Sequence, residues 1–108
     1  MDLGATNVQI AIYDENMTEI VSSFIELKDK GYIAVIKLVT DTIMGYLGDE
    51  IPWESIRGGG FGAPGRSKNG MLISAANYPL WENVPLCQDI YNRTKIHVRI
   101  VKRYVYVL

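Results

Sequence analysis

The sequence opens with DLGATN, residues 2 to 7, which places a carboxylate, a glycine and a hydroxyl in a turn between two extended segments. Such a turn can offer backbone N–H groups and the Thr6 hydroxyl to phosphate oxygens, and it positions Asp2 for a metal-bound water. Asp, Gly and Thr are also common turn formers, so an ordinary turn without a ligand is the alternative. The stretch predicts a turn. Whether this turn binds a ligand depends on which other segments of the chain lie next to it.

The segments after this turn predict the two strands of a hairpin. Apolar residues alternate with others from Val8 to Tyr13, and the run stops at the turn-forming DEN at positions 14 to 16. A second strand is expected over Thr18 to Glu26. Because apolar side chains fall on both of its faces, we expect both faces to be covered. These side chains are Ile20, Val21, Phe24 and Ile25.

The next segment changes to helical spacing. Apolar residues at intervals of four and three form one stripe, and Gly48 supplies a C-terminal stop. The stripe consists of Tyr32, Ile36, Val39, Ile43 and Leu47. The sequence therefore predicts an amphipathic helix with one apolar face.

The second half of the chain predicts further strands and a short helix. Residues 57 to 65 are expected to form a short buried strand that runs into a tight loop, and Asn69-Gly70 marks a hairpin turn before a return strand at Met71. A helix is expected to be capped by Asn83 or Val84, with Pro85 in its first turn, and to end near Asn92 or Arg93. Strand is expected throughout 96 to 108. This order predicts a single α/β unit over residues 1–108.

Composition excludes several classes of protein. The 108 residues carry a formal charge of −1 without a block of like charges, which does not favour nucleic-acid binding. The single cysteine, Cys87, rules out an internal disulfide, and the chain opens without the pattern of a signal peptide. No apolar run approaches the length needed to span a bilayer. We therefore expect a cytoplasmic protein that does not enter membranes.

A second glycine-rich loop and its sequel give the turn at residues 2 to 7 a context. The chain reads GAPGR at positions 62 to 66, then Asn69-Gly70, NYPLW at 77 to 81 and VPL at 84 to 86. This order resembles the ROK family of sugar kinases and related repressors. Their N-terminal lobe carries an Asp-x-Gly-Gly-Thr phosphate loop, a Gly-x-Gly-x-Pro-Gly loop, an Asn-Leu-Pro-x-Trp segment and a Val-Pro-Leu helix start. Four weak motifs in one order are more specific than any one alone.

The resemblance implies a fold and a ligand site. The expected fold is the N-terminal lobe of the actin-like, ribonuclease H-like ATPase fold, with a mixed sheet and helices. By the resemblance, Asp2, Gly4 and Thr6 lie at the nucleotide phosphates, together with Ala5, which replaces the second glycine of the family motif. The resemblance places Gly65 and Asn77 at the sugar, a hexose or N-acetylhexosamine. Full-length relatives use ATP and Mg²⁺, and we expect neither to bind tightly here.

Asn77 and Trp81 each have a structural interpretation that needs no sugar. Asn77 also suits a turn before Tyr78-Pro79. Trp81 could stack on a sugar, although an aromatic ring beside a proline is more often part of the core.

The residue that would act as catalytic base is not where the resemblance expects it. In the family the strand after the short helix ends in Glu-Asn-Asp-Ala-Asn, whose aspartate takes the proton from the sugar hydroxyl. Alignment of that strand places Arg103 at the aspartate position. A guanidinium cannot accept a proton at neutral pH, so phosphoryl transfer by this route is not expected. The lobe is expected to be truncated at both ends and to have no metal ligands.

These observations leave three functional hypotheses. The first is a fragment of an ATP-dependent, glucokinase-like hexose kinase, inactive in this form. The second is the sugar-sensing fragment of a ROK-type transcriptional repressor, and the third is a non-catalytic module that binds sugar or oligomerises. Uncovered sheet edges, in the strand 98 to 108 and in the first hairpin, predict self-association.

Three further features do not favour a separate function. His97 has no second histidine or cysteine at the spacing of zinc ligands. Cys87 is expected to be a small buried residue, although a helix N-terminus can lower the pKa of a thiol. The glycine run at 58 to 62 is followed by proline, which does not fit a dinucleotide-binding fingerprint.

Overall fold

The computed structural model describes residues 1–48 and 50–102, with the side chain of Lys102 excepted, and it contains seven strands and two α-helices. A short 3₁₀ helix, Trp53–Ser55, lies between the first helix and the fourth strand. The elements are β1 (Asp2–Leu3), β2 (Asn7–Tyr13), β3 (Glu19–Glu26), α1 (Tyr32–Tyr46), β4 (Gly59–Ala63), β5 (Gly65–Lys68), β6 (Met71–Ala75), α2 (Leu86–Thr94) and β7 (Val98–Lys102).

Five of the strands form a mixed sheet in the order β3-β2-β1-β4-β7. The β1, β2 and β3 strands pair antiparallel, whereas β4 runs parallel to both β1 and β7. The β5 and β6 strands form a separate antiparallel hairpin. This mixed sheet with helices confirms the α/β fold class that the sequence predicts.

One face of the sheet carries the hydrophobic core. Leu3, Val8 and Phe61 are fully buried there. The α1 helix packs against β2, and Ile36, Val39 and Ile43 of the predicted apolar stripe are buried. The α2 helix contacts α1, β6 and β7, which joins the hairpin β5–β6 to the main sheet. The buried apolar side chains of all these elements belong to one cluster. Burial of this cluster is the main force that holds the two sheets together.

The opposite face of the sheet is open among the described residues. Asp2 pairs with Gln9, and Gln9 pairs with Phe24, so these three residues share this face. Phe24 is 71% exposed and Ile20 is 52% exposed. The prediction that both faces of β3 are covered is therefore wrong, because β3 is an edge strand and α1 and α2 lie on the other side.

The ends of the helices differ from the sequence-based expectation. The α1 helix ends at Tyr46, and its C-cap is Leu47 in an extended conformation, not Gly48. The α2 helix begins at Leu86 after Pro85, and it ends at Thr94. Asn83 does not cap it, because Asn83 adopts a left-handed φ of 50° and Val84 forms a bridge with Leu72.

The predicted hairpin turn is confirmed, and the last strand is shorter than predicted within the described residues. Asn69 and Gly70 adopt φ values of 53° and 81° between β5 and β6, which is the left-handed conformation that such tight turns need. Ile96 and His97 precede β7 and are not part of it. Residues 103 to 108, which the sequence also predicted as strand, lie outside the described residues. Neither α1 nor α2 is long and apolar enough to cross a membrane.

Candidate functional site

The turn at residues 4 to 6 connects β1 and β2, as the opening stretch predicts. The Gly4 N–H donates to the Asn7 carbonyl oxygen at 2.8 Å, which closes the turn. The Asn7 side-chain amide donates to Thr6 Oγ1 at 2.9 Å, and the Leu27 N–H donates to the Thr6 carbonyl at 2.8 Å. Ala5 and Thr6 are exposed. The turn is thus held from within and by the segment after β3, and its tip faces solvent.

Asp2 lies in β1 and not at the tip of the turn. Its side chain is half-buried and belongs to the open face of the sheet. The carboxylate and the turn tip are therefore neighbours along the chain, separated by the fully buried Leu3. The prediction that the turn itself contains the carboxylate is therefore wrong, because Asp2 belongs to β1 and lies beside the solvent-facing turn at residues 4 to 6.

Gly65 begins β5, where the backbone of β6 approaches it closely. A Cβ atom at this position would lie 1.9 Å from the Ser74 carbonyl oxygen and 2.9 Å from the Ala75 Cα. Real side chains do not fit at such distances, so only glycine is compatible with this hairpin. The requirement for glycine here comes from packing between two strands, and it exists without any ligand.

Asn77 lies in the loop after β6 with its side chain exposed. Its φ of 67° is left-handed, a conformation that asparagine tolerates better than most residues. The loop is closed by two hydrogen bonds, from the Tyr78 N–H to the Ala75 carbonyl and from the Trp81 N–H to the Tyr78 carbonyl. The turn interpretation of Asn77 is therefore confirmed, and its exposed amide remains available to solvent.

Tyr78 connects the two loops that the sequence singled out. Its side chain is only 2% exposed, and its hydroxyl donates to the Gly4 carbonyl oxygen at 2.6 Å. The ammonium of Lys30 lies 4.5 Å from the centre of the Tyr78 ring, a cation–π contact. The structure thereby brings the turn at residues 4 to 6, the segment at Lys30 and the loop of Asn77 together. No periodic pattern in the sequence predicts this contact, which joins residues 74 positions apart.

Trp81 belongs to the core and does not stack on a ligand. Its side chain is 1% exposed, and its indole N–H donates to the Lys30 carbonyl at 2.9 Å. The ring packs edge-on against Tyr32 at 5.2 Å and at a tilt against Tyr78 at 4.7 Å. The packing interpretation of Trp81 is confirmed, and the indole fixes the segment that carries Lys30.

A second polar cluster joins the two helices. The Tyr32 hydroxyl donates to Asp89 Oδ2 at 2.7 Å, and burial together with this carboxylate raises the pKa of Tyr32 well above its ordinary value. Arg93 donates to Thr40 Oγ1 at 2.7 Å. These bonds connect α1 with α2, so their role is to hold the helices in register.

Cys87 and His97 do not form a reactive site. Burial raises the pKa of the Cys87 thiol, so the helix start does not activate it as a nucleophile. His97 is exposed and stacks on Tyr91 at 4.5 Å. A depression of about 250 Å³ lies between them, lined by Cys87, Gln88, Tyr91, His97 and Val98, none of which belongs to the turn or loop described above. Within residues 1–48 and 50–102 no group of three or more His, Cys, Asp or Glu side chains could hold a metal ion.

Arg103, which the resemblance to the ROK family places at the position of the catalytic base, lies outside the described residues.

Comparison with solved structures reveals close similarity of fold. A ROK-family transcriptional regulator, a homologue of the Escherichia coli MLC protein, superposes with a TM-score of 0.80 at 18% identity. A ROK glucokinase from Streptomyces griseus, solved with glucose and AMPPNP, gives 0.75 at 17%, and a ROK hexokinase from Thermus thermophilus gives 0.69 at 16%. Each match covers 94% of this chain.

The chain matches only part of each solved structure. The chain spans 26% of the regulator, 31% of the glucokinase and 33% of the hexokinase. No protein-family model matches the sequence, and no curated protein matches it. The chain therefore has the fold of one segment of these ROK-family proteins, and that segment makes up about a quarter to a third of their length. This is the family that the loops of the chain resemble.

Proposed function

We propose that this chain supplies the phosphate-binding turn and the sugar-facing loop of a ROK-type, glucokinase-like hexose kinase fold. Asp2, Gly4, Ala5 and Thr6 take the nucleotide phosphates in this proposal, and Gly65 and Asn77 face the sugar. The observation that carries it is the bond from the Tyr78 hydroxyl to the Gly4 carbonyl, because it places the two loops side by side. Similarity to a glucokinase solved with glucose and AMPPNP supports the same assignment.

The donors of the turn suit the phosphates of ATP and its Mg²⁺ ion. Thr6 Oγ1 accepts a hydrogen bond from the Asn7 amide, so its own proton can be donated to a phosphate oxygen. The Asp2 carboxylate is an oxygen ligand of the kind that Mg²⁺ or its bound water prefers. When bound, the ion would neutralise phosphate charge, and the turn would hold the phosphates in place.

The loop residues suit a polyol. The Asn77 amide can both donate and accept hydrogen bonds, which a sugar hydroxyl requires, and its exposure leaves it accessible. Gly65 contributes by allowing the β5–β6 backbone to pack tightly beneath the loop. A one-sided site leaves much of the sugar in water, so we expect weak affinity.

We propose binding without turnover for the 108-residue chain. The position expected for the base holds Arg103, whose guanidinium does not accept a proton. Release of ADP from ATP by the purified chain in the presence of glucose, above the rate without protein, would contradict this part of the proposal.

A sugar sensor of the repressor type is the second candidate, and a non-catalytic sugar-binding module is the third. The regulator superposes with a TM-score of 0.80, against 0.75 for the glucokinase, and this observation keeps the sensor under consideration. The candidates differ in their ligands. A kinase fragment binds both glucose and Mg²⁺·AMPPNP, whereas a sensor or module binds the sugar alone.

Replacing Asn77 with glycine should weaken sugar binding roughly 5- to 150-fold, equivalent to about 1 to 3 kcal/mol for an unmade hydrogen bond in a site. Glycine accepts the left-handed φ of 67°, so the substitution removes the amide and preserves the backbone. The measurement is a titration with glucose and N-acetylglucosamine followed by NMR.

Asn83→Gly is the matched control for this titration. Asn83 is also exposed and left-handed, with a φ of 50°, and it lies outside the proposed site. We expect Asn83→Gly to bind sugar like the wild type. Equal affinities of the wild type and Asn77→Gly would show that Asn77 does not contact the sugar.

We also propose that the chain associates with a second copy of itself, through the open face of β2 and β3. Phe24→Thr should weaken this association, because it removes an aromatic ring that is 71% exposed on an edge strand. Light scattering across micromolar concentrations measures the effect. Ile33→Gln, which removes an exposed apolar side chain from α1, is the control and should leave association unchanged. A wild type that stays a monomer would contradict the proposal.

A further inference from the structure

The contact between Tyr78 and Gly4 has a directional consequence for the turn. The Tyr78 hydroxyl donates to the Gly4 carbonyl oxygen, which fixes the direction of that carbonyl. The peptide unit between Gly4 and Ala5 is trans and planar, so the Ala5 N–H points opposite to the Gly4 carbonyl. The bond from Tyr78 therefore aims the Ala5 N–H away from the buried tyrosine and toward the exposed side of the turn.

Tyr78 is itself firmly placed. Its ring is 2% exposed and packs against the fully buried Trp81 at 4.7 Å. The indole of Trp81 in turn donates to the Lys30 carbonyl, and the Lys30 ammonium covers the Tyr78 ring. A hydroxyl held in this way has little freedom to follow the turn, so the turn adjusts to the hydroxyl.

Two further backbone hydrogen bonds hold the turn among the described residues, and neither involves the Gly4 carbonyl or the Ala5 N–H. The Gly4 N–H bond to Asn7 lies within the hairpin, and the bond from Leu27 reaches the Thr6 carbonyl at its far side. Ala5 and Thr6 have exposed side chains. The hydroxyl of Tyr78 is thus a part-buried, long-range contact that acts directly on the Gly4–Ala5 peptide.

We infer that Tyr78 is a positioning residue, whose hydroxyl orients the Gly4–Ala5 peptide so that the Ala5 N–H is presented to a phosphate oxygen. The identity of the ligand, a phosphate, rests on the proposed function. The orienting role of the hydroxyl rests on the observed hydrogen bond. Because Tyr78 follows Asn77 directly, the same residue also connects the orientation of the turn to the sugar-facing loop. Tyr78 acts through the peptide and does not itself contact the ligand.

The test compares Tyr78→Phe with the wild type, since this substitution removes the hydroxyl and keeps the ring. Amide hydrogen exchange is followed at Gly4 and Leu27, whose N–H groups are bonded in and beside the turn, and at Leu72, which is bonded to Val84. We expect exchange at Gly4 to accelerate about fivefold relative to Leu72, the size expected for one lost hydrogen bond. An unchanged ratio of Gly4 to Leu72 would overturn the inference.

Tyr46→Phe is the matched control. The Tyr46 hydroxyl donates to Ser23 Oγ, so this variant also loses a tyrosine hydrogen bond between distant elements. If the effect came only from a general loss of stability, Tyr78→Phe and Tyr46→Phe would change exchange at Gly4 by the same amount. That result would also overturn the inference. We expect the change in the ratio only in Tyr78→Phe.

A second arm tests the link to phosphate. Titration with Mg²⁺·AMPPNP should shift the Ala5 amide resonance in the wild type and in Tyr46→Phe, and the affinity should fall about fivefold in Tyr78→Phe. Equal affinities in all three proteins would overturn the role of Tyr78 in presenting the N–H. If the wild-type Ala5 amide does not respond at all, the proposed nucleotide site is wrong, and the exchange ratio alone decides whether Tyr78 orients the turn.

Discussion

Trp81→Ala is expected to lower the free energy of unfolding by about 3 to 5 kcal/mol, the usual cost of truncating a fully buried tryptophan. The side chain is 1% exposed and contacts both Tyr32 and Tyr78. The substitution also leaves the Lys30 carbonyl without its indole donor. Native proteins have only about 5 to 15 kcal/mol of stability, so this loss removes a large part of the free energy of unfolding. Urea denaturation followed by circular dichroism measures the loss.

Trp53→Ala provides the comparison for this prediction. The Trp53 indole also donates to a backbone carbonyl, that of Thr94 at 2.8 Å, but its side chain is 42% exposed. A clearly smaller loss of stability is expected, because less apolar surface is uncovered. Equal losses in the two variants would show that the hydrogen bond, and not the buried ring, accounts for the effect at Trp81.

Gly65→Ala is expected to lower the free energy of unfolding by about 3 kcal/mol, the upper end of the usual cost of overpacking. The new methyl group would lie 1.9 Å from the Ser74 carbonyl oxygen, a backbone atom that cannot move without distorting the β5–β6 hairpin. Chemical denaturation measures the stability. The amide spectrum should show changes at both strands of the hairpin.

Gly45→Ala is the matched control for the added methyl group. Gly45 lies in α1, and a Cβ atom there meets nothing within 4 Å. Alanine at an exposed helical position should raise stability by about 0.5 to 1 kcal/mol. A Gly65→Ala variant as stable as the wild type would show that the hairpin can relax around the methyl group.

Local pattern was sufficient to predict most of the elements. The alternation from Val8 to Tyr13 and the helical stripe from Tyr32 reflect burial against one core, and most of their apolar side chains are buried in the structure. The Asn69-Gly70 turn was predictable because left-handed φ values restrict the residues that can occupy it.

Other features depend on tertiary structure that periodicity does not encode. The exposed face of β3 follows from its position at the edge of the sheet, which its apolar residues Ile20 and Phe24 do not indicate. The helix cap expected at Asn83 is replaced by a left-handed turn, because Val84 pairs with Leu72. The requirement for Gly65 resembled a ligand contact in sequence, whereas its physical origin includes the close approach of β6.

The site shows the same division. Sequence motifs singled out the turn at residues 4 to 6 and the loop at Asn77, and the fold brings these two segments together. Tyr78 connects these segments, and it occupies the position where the family motif quoted above has leucine. The motif therefore does not indicate that a tyrosine hydroxyl belongs to the site. The role of the Tyr78 hydroxyl follows only from the three-dimensional structure, in which it donates to the Gly4 carbonyl oxygen at 2.6 Å.

The most direct test of the account is an amide NMR map of the wild-type chain with two ligands, glucose and Mg²⁺·AMPPNP. We expect the nucleotide to shift the resonances of Ala5 and Thr6 and the sugar to shift those around Asn77, since these are the two exposed segments that Tyr78 connects. Shifts confined to the neighbourhood of Cys87 and His97, or no shifts with either ligand, would contradict it.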